Sequence, residues 1–263
     1  MNDRHTRLPV VDARSGGREN AWAVRRSGRW LLVDLGREHR TLGWTIVGGG
    51  FARTRSIAWL GVRDGDLPAG VDPVDLVDEA LRAVDADPDL DRRQPVFLTS
   101  SNLDAYIDVT VEVEEVAARC IATVGMSNAA RVGARSQARE RANDRSQIGT
   151  INLLCGVSRP LTELAMIEAL SIVTAARTTA VLEARIPIRS GEGQGSADLA
   201  TGTGTDCCIV AAPAVDAGDG STGATAEVYA YAGLHTAIGE AIGRAALQAV
   251  ARGVAAWREA AAR

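Results

Sequence analysis

Short β-rich runs follow one another along most of this chain, and only three segments have helical spacing. The runs rich in apolar and β-branched residues are 21–24, 30–33, 42–47, 56–62, 96–99, 107–124, 148–155 and 209–212. Strands that follow each other without intervening helices favour antiparallel pairing. We therefore expect an α+β fold, in which a mixed, largely antiparallel β-sheet packs with a few long helices as an α/β sandwich.

The three helical segments carry recognisable start signals. Asp72 can cap the first helix, and Pro73 suits its first turn. The second helix is expected from about residue 160 to residue 183, because apolar residues recur there every three to four positions. The third is expected to begin near Thr236 and to run almost to the end of the sequence.

The composition limits the classes of protein to consider. The formal net charge is −4, whereas a domain that binds duplex nucleic acid normally has a basic face, so we expect no nucleic-acid partner. All 29 basic residues are arginine, which excludes a Schiff-base lysine and a phosphate-loop lysine. The polar residues 1–19 are expected to form a disordered tail, and residues 20–263 a single domain.

Neither the cysteines nor the histidines have the spacing of a metal site. The four cysteines form no C-x-x-C pair, and the three histidines are far apart in the sequence. We therefore expect no metal, no required cofactor, and buried thiols of a reducing compartment. A signal peptide and a run of 18 apolar residues are both missing from the sequence, so we expect a cytoplasmic protein with no membrane partner.

The most unusual segment alternates threonine with glycine and ends in an acid. Its members are Thr201, Gly202, Thr203, Gly204, Thr205 and Asp206. The glycines let backbone N–H groups approach a ligand closely, and the threonines supply hydroxyls. A carboxylate such as Asp206 at the mouth of a buried strand can have a raised pKa and act as a base. The alternative is a Gly/Thr loop whose aspartate caps neighbouring amides.

Two further candidates for acid–base chemistry lie near the start of the third helix. His235 directly precedes the expected cap, where the helix dipole favours a neutral imidazole that can accept a proton. Glu240 lies one turn further and could protonate a leaving group. The alternatives are a structural histidine, and an ion pair of Glu240 with Arg244 four residues on.

Polar residues with strand neighbours form a third group of candidates. Thr150 and Asn152 alternate with apolar residues, and the Asn152 amide could stabilise an oxyanion together with the N–H groups of Gly202 and Gly204. The alternative is that Asn152 is a satisfied polar group on a strand. Gly49, in a run of three glycines, could be a site of close approach to a ligand or a flexible turn.

These segments together resemble the adenosylcobinamide amidohydrolase (CbiZ) family. The segments that carry the resemblance are 201–206, 149–152, 231–240, 42–50, 98–99, 124–129 with Asn128 in a glycine-asparagine turn, and 174–178. They occur in the family's order and span about residues 40–255. The resemblance implies hydrolysis of the amide that joins the aminopropanol arm to the corrin ring of adenosylcobinamide. The product is adenosylcobyric acid, in corrinoid salvage.

The resemblance also implies a small-molecule corrinoid substrate, and it leaves a homo-oligomer open. Under this hypothesis Asp206 or His235 acts as the base, and the other residue or Glu240 protonates the amine. The attacking group is a water or a threonine hydroxyl.

Four places depart from the family pattern, one of which is the strand end Thr99-Ser100-Ser101. The family's usual glutamate is replaced by Ala175, the usual lysine in the same segment by Arg177, and the usual lysine after the Tyr-Ala-Gly run by Leu234. A non-catalytic corrinoid-binding or regulatory paralogue is therefore an alternative. A second alternative is an unrelated small-molecule hydrolase on the same scaffold.

Overall fold

The structure of the chain is a computed structural model that describes residues 22–63, 65–67, 70–83, 94–134, 149–188, 198–215 and 227–262. The strands are β1 (Ala23–Ser27), β2 (Trp30–Gly43), β3 (Gly50–Gly61), β4 (Val96–Thr99), β5 (Ile107–Val113), β6 (Val116–Val124), β7 (Ala129–Ala130), β8 (Ile151–Val157), β9 (Gly202–Thr203) and β10 (Cys207–Pro213). The helices are α1 (Pro73–Arg82), α2 (Glu163–Glu183) and α3 (Ala237–Ala261). The tail expected at 1–19 lies outside the described residues.

Eight of the strands form one mixed sheet. Its order is β4-β3-β2-β10-β8-β6-β5, and β1 also pairs with β2. Within the described residues the β3–β4 and β8–β10 pairings are parallel and the other five are antiparallel. The predicted α+β class, with a mixed and largely antiparallel sheet, is therefore confirmed. Strands β7 and β9 form a separate small ribbon.

The second strand is longer than the sequence predicts. The expected separate strand over 42–47 is wrong, because β2 continues to Gly43 across a register shift between Asp34 and His39. Gly36 has φ +73° in this irregularity, a conformation that glycine adopts without strain. Because the residues around this irregularity are polar, the sequence pattern indicates two short strands where the structure has one long strand.

Helices α2 and α3 pack side by side on the same face of the sheet. Strand β8, helix α2 and strand β10 form a crossover between parallel neighbours. At one end the N–H of Ala232, just before α3, donates to Glu168 at 2.7 Å. At the other end Arg258 of α3 donates to the carbonyl of Ala184 just past α2. The two helices therefore run in the same direction.

The opposite face of the sheet buries a second cluster, whose side chains come from both halves of the sheet. Trp59 and Phe97, whose ring centroids are 4.6 Å apart, share a buried cluster with Ile121 and Leu154 from the other half of the sheet. Alternate residues of the same strands thus face two different cores. Helix α1 covers a third cluster on β2, β3 and β4, and Asp72 caps it by accepting from the N–H of Val74 at 2.8 Å.

Helix α2 is long and apolar enough to cross a membrane when only length and composition are considered, within the part of the chain that the structure describes. Its buried side chains, among them Met166, Val173 and Val181, belong to the core shared with α3 and the sheet. This packing explains the apolar composition of that side of the helix.

Close packing of α3 on β6 depends on Gly253. A Cβ atom at this position would lie 2.4 Å from Cγ2 of Val124, whereas one at Gly243 of the same helix would lie 3.4 Å from Cγ2 of Ile172. We expect Gly253→Ala to lower the free energy of unfolding by about 1–3 kcal/mol through overpacking. Gly243→Ala, the matched control, should leave it unchanged or raise it by about 0.5–1 kcal/mol.

Urea unfolding of the two variants measures this difference. Equal midpoints for both variants would contradict the proposed close contact between α3 and β6.

Candidate active site

The parallel pairing of β8 and β10 brings the predicted polar segments together. Because Cys207 is opposite Asn152, the residues that precede both strands lie at the same end of the sheet. Thr150 Oγ1 donates to the carbonyl of Thr205 at 2.8 Å. The N–H of Gly204 donates to the carbonyl of Asn128 at 3.2 Å. Segments 149–152, 201–206 and Asn128 thus form one loop cluster.

Asp206 lies at the centre of this cluster with its carboxylate almost completely buried. Arg177 Nη1, on α2, donates to Oδ2 at 2.8 Å. The N–H of Thr203 donates to Oδ2 at 2.9 Å, and its hydroxyl donates to Oδ1. The N–H of Ile151 donates to Oδ1 at 3.1 Å. The carboxylate therefore joins α2, β8 and the Thr-Gly segment through four donors.

Opposing effects act on the proton affinity of this carboxyl. Burial raises the pKa of Asp206, while the Arg177 charge and the hydrogen bonds from Thr203 and Ile151 act to lower it. Burial is the largest effect, so the pKa stays above its ordinary value. A carboxylate of this kind accepts a proton more readily than an exposed one.

Gly202 is required beneath the ion pair. A Cβ atom there would lie 2.4 Å from Asp206 Oδ2 and 3.4 Å from Cζ of Arg177. The glycine therefore lets the chain pass directly under the charged groups, which is a packing reason for the Thr-Gly alternation.

Several predicted binding groups are engaged within the protein. Thr201 Oγ1 accepts from the N–H of Val132 at 2.8 Å. Asn152 is completely buried, and its amide donates to the carbonyl of Leu98 at 2.8 Å. The N–H of Gly204 is likewise bonded to the carbonyl of Asn128. Asn152 or Gly204 could stabilise an oxyanion only after these hydrogen bonds break, so this role stays a prediction.

An open groove lies between Trp44 and the outward face of α2. Its volume is about 730 Å³, within the usual range for small-molecule sites. It is lined by Trp44, Ile167, Leu170, Ser171, Thr174, Ala175, Thr178 and Thr179. Trp44 Nε1 donates to the carbonyl of Asp206 at 2.6 Å, so the groove directly adjoins the loop cluster. The lining is aromatic, aliphatic and hydroxyl-bearing, without an ionisable side chain.

Gly49 belongs to the turn that follows Trp44. A Cβ atom on Gly49 would lie 3.1 Å from the N and O atoms of Thr45. The neighbouring Gly48 and Gly50 have positive φ. The three glycines therefore shape the turn that carries Trp44, and direct contact of Gly49 with a ligand stays a prediction.

His235 and Glu240 lie at the other end of the sheet. The loop before α3 is bonded to Glu168 near the start of α2, whereas Asp206 is bonded to Arg177. Nine residues of helix separate these two anchors, about 14 Å at 1.5 Å per residue. The structure therefore does not bring His235 and Glu240 together with Asp206. Glu240 is exposed and accepts from Arg244 at 3.2 Å, the alternative that the sequence offered.

The thiols do not suggest a nucleophile or a metal site. Burial raises the pKa of Cys207 to about 11, so the thiol stays protonated near neutral pH. Within the described residues, no group of three or more His, Cys, Asp or Glu side chains could hold a metal ion.

Two contributors to the site do not stand out as site residues in the sequence. Trp44 belongs to the apolar run 42–47, which by itself predicts only a strand. Arg177 stands out in the sequence only as a departure from the family pattern. Its pairing with Asp206, 29 positions away, depends on the crossover between β8 and β10.

A groove without ionisable walls beside a buried carboxylate, on a mixed α+β sheet, has the form of a small-molecule binding site. The model of the adenosylcobinamide amidohydrolase (CbiZ) family matches residues 17–262, nearly the whole chain. The chain belongs to this family of amidohydrolases. The PH0078 protein from Pyrococcus horikoshii OT3 is similar at 10% identity, with a TM-score of 0.40 over 89% of this chain and 83% of that chain. A search of curated proteins finds no match.

The Arg177–Asp206 pair should dominate the stability of the loop cluster. The exposed side-chain fractions are 14% and 4%, so removal of the arginine leaves a buried, unpaired carboxylate. We expect Arg177→Ala to lower the free energy of unfolding by about 3–5 kcal/mol. Arg244→Ala, which removes an exposed pair with Glu240, should cost about 0–0.5 kcal/mol.

Urea unfolding at neutral pH measures both changes. A loss for Arg177→Ala no larger than for Arg244→Ala would show that the buried pair has no structural role.

Proposed function

We propose that this chain hydrolyses the amide between the aminopropanol arm and the corrin ring of adenosylcobinamide, giving adenosylcobyric acid. Membership of the family supports the reaction type. The observation that carries the proposal for this chain is the open groove whose Trp44 wall is bonded to the backbone of the Asp206 loop. It offers a binding surface and a buried carboxylate at the same place.

The groove suits a large ligand that has both apolar and amide-bearing surface. Trp44 and Ile167 are 41% and 52% exposed, so they offer apolar surface to a flat ring. The hydroxyls of Ser171, Thr174 and Thr178 can exchange hydrogen bonds with peripheral amides. A corrin ring carries both kinds of surface.

Thr203 and Asp206 form the proposed catalytic pair. The Thr203 hydroxyl donates to Asp206 Oδ1, while Arg177 holds Oδ2. A water attacks the amide carbon and passes its proton to Thr203 as Thr203 passes its own to Asp206. The C–N bond then breaks, and the proton held by Asp206 returns through Thr203 to the departing amine. The products are the carboxylic acid and the free amine.

His235 and Glu240 have no part in this proposed mechanism. Both belong to the end of the sheet anchored by Glu168, about 14 Å along α2 from Arg177. In the proposed mechanism, the Thr203 relay therefore takes the acid and base roles that the sequence suggested for His235 and Glu240.

Turnover of adenosylcobinamide by the purified full-length chain tests the reaction. We expect adenosylcobyric acid and free aminopropanol in equal amounts, separated by liquid chromatography. His235→Ala and Glu240→Ala should keep the rate within about twofold, because a single acid or base is worth roughly 10²–10⁴ when it takes part. The absence of product with and without added divalent metal would exclude the proposed activity.

Thr203 variants test the relay. Thr203→Ser keeps the hydroxyl and should retain most of the rate, whereas the shape-matched Thr203→Val should lower kcat by about 10²–10⁴. Circular dichroism and the urea midpoint serve as folding controls. Full activity of Thr203→Val would exclude the relay. A covalent acyl adduct on Thr203, seen by mass spectrometry, would replace the attacking water with Thr203 itself.

A non-catalytic corrinoid-binding protein is the second candidate. The observation in its favour is that Ala175 lies in the groove lining. The family pattern has a glutamate at this position, so an acid that could face the ligand there is replaced by alanine. This candidate predicts a shift of the corrinoid absorption spectrum on binding without product. Product formation at a rate above that of Thr203→Val would exclude it.

A further inference from the structure

A second open cavity, of about 560 Å³, lies at the opposite end of the sheet from Asp206. It is lined by Arg40, Arg53, Leu161, Thr162, Glu163, Pro213, Val215 and Val228. Pro213 ends β10 and Thr162 caps the start of α2, which places the cavity far from the loop cluster along both elements. None of these residues has a part in the proposed hydrolysis.

Two arginines stand side by side in this cavity. Arg40 of β2 and Arg53 of β3 are directly opposite in the antiparallel pairing. Side chains at such positions begin about 4.5–5.5 Å apart, and like charges there repel each other. An anion bound between the two guanidinium groups would be attracted by both charges, and guanidinium donors match phosphate oxygens in geometry.

The glutamate partners of the two arginines are exposed, and Arg40 also donates to the carbonyl of Leu161 at 3.5 Å. Arg40 donates to Glu163 at 3.0 Å, and Arg53 donates to Glu38 at 2.7 Å. The glutamate side chains are 72% and 44% exposed. Exposed ion pairs of this kind contribute only about 0–1 kcal/mol, so an anionic ligand can replace them.

The remaining walls of the cavity are apolar. Val215 and Val228 are 40% and 42% exposed, and Leu161 also belongs to the lining. Apolar surface next to a pair of cations suits a ligand with an anionic group on an apolar body. We propose that this cavity binds a phosphomonoester whose organic group has an apolar face, as the base of a nucleoside monophosphate does.

Calorimetric titration of the full-length chain with adenosine monophosphate, inorganic phosphate and adenosine tests the proposal, with no corrinoid present. We expect saturable binding of adenosine monophosphate with a dissociation constant below about 1 mM, and weaker binding of the other two. Arg53→Gln should weaken binding about tenfold or more, since hydrogen bonds to charged groups are lost. Glu163→Gln should strengthen it, because a competing carboxylate is removed.

Arg244→Gln is the matched control, since it removes an equally charged, glutamate-paired arginine elsewhere on the surface. It should change the affinity less than twofold. Equal weakening by Arg244→Gln and Arg53→Gln, equal binding of adenosine and its monophosphate, or no saturation by any probe would each overturn the proposal. Because the titration uses no corrinoid, its outcome is independent of whether the chain hydrolyses adenosylcobinamide.

Discussion

The buried ion pair between Arg177 and Asp206 is the interaction on which the candidate site depends. It ties α2 to the first residue before β10, and the same carboxylate also holds Ile151 at the start of β8. A charge buried to this extent is tolerated only when donors surround it. The glycines of the Thr-Gly segment make that possible, because a side chain at Gly202 would collide with the pair.

The crossover from β8 through α2 to β10 places the two candidate sites at opposite ends of the sheet. Parallel strands start at one end of the sheet, where the Thr-Gly cluster and the Trp44 groove meet. They finish at the other end, where α2 and α3 begin and where Arg40, Arg53 and His235 belong. Asp206 and His235, which the sequence suggested as one catalytic set, therefore lie at different ends of the sheet.

Much of the fold could be predicted because local signals agree with the final structure. Asp72 and Thr236 cap their helices as expected from residue type, and α2 begins close to its expected start with Thr162 as its cap. The extent of β2 could not be predicted, since a bulge at Gly36 interrupts the alternation that marks a strand. In the site, the meeting of segments 149–152 and 201–206 was expected only from a resemblance. Asp206 pairs with Arg177, 29 positions earlier, and this contact depends on strand pairing that local sequence patterns do not indicate.

The uncharged lining of the Trp44 groove constrains how any chemistry there can work. A side chain that exchanges protons with the ligand must lie at the edge of the groove, because its walls offer only hydroxyls and apolar groups. Thr203, half-buried and bonded to Asp206, belongs to the loop cluster that adjoins the groove through Trp44. A buried carboxylate that acts through a threonine keeps its charge away from an apolar ligand, and it avoids the desolvation that direct contact would require. The replacement of an acid by Ala175 is therefore compatible with hydrolysis, provided that the proton moves along this relay.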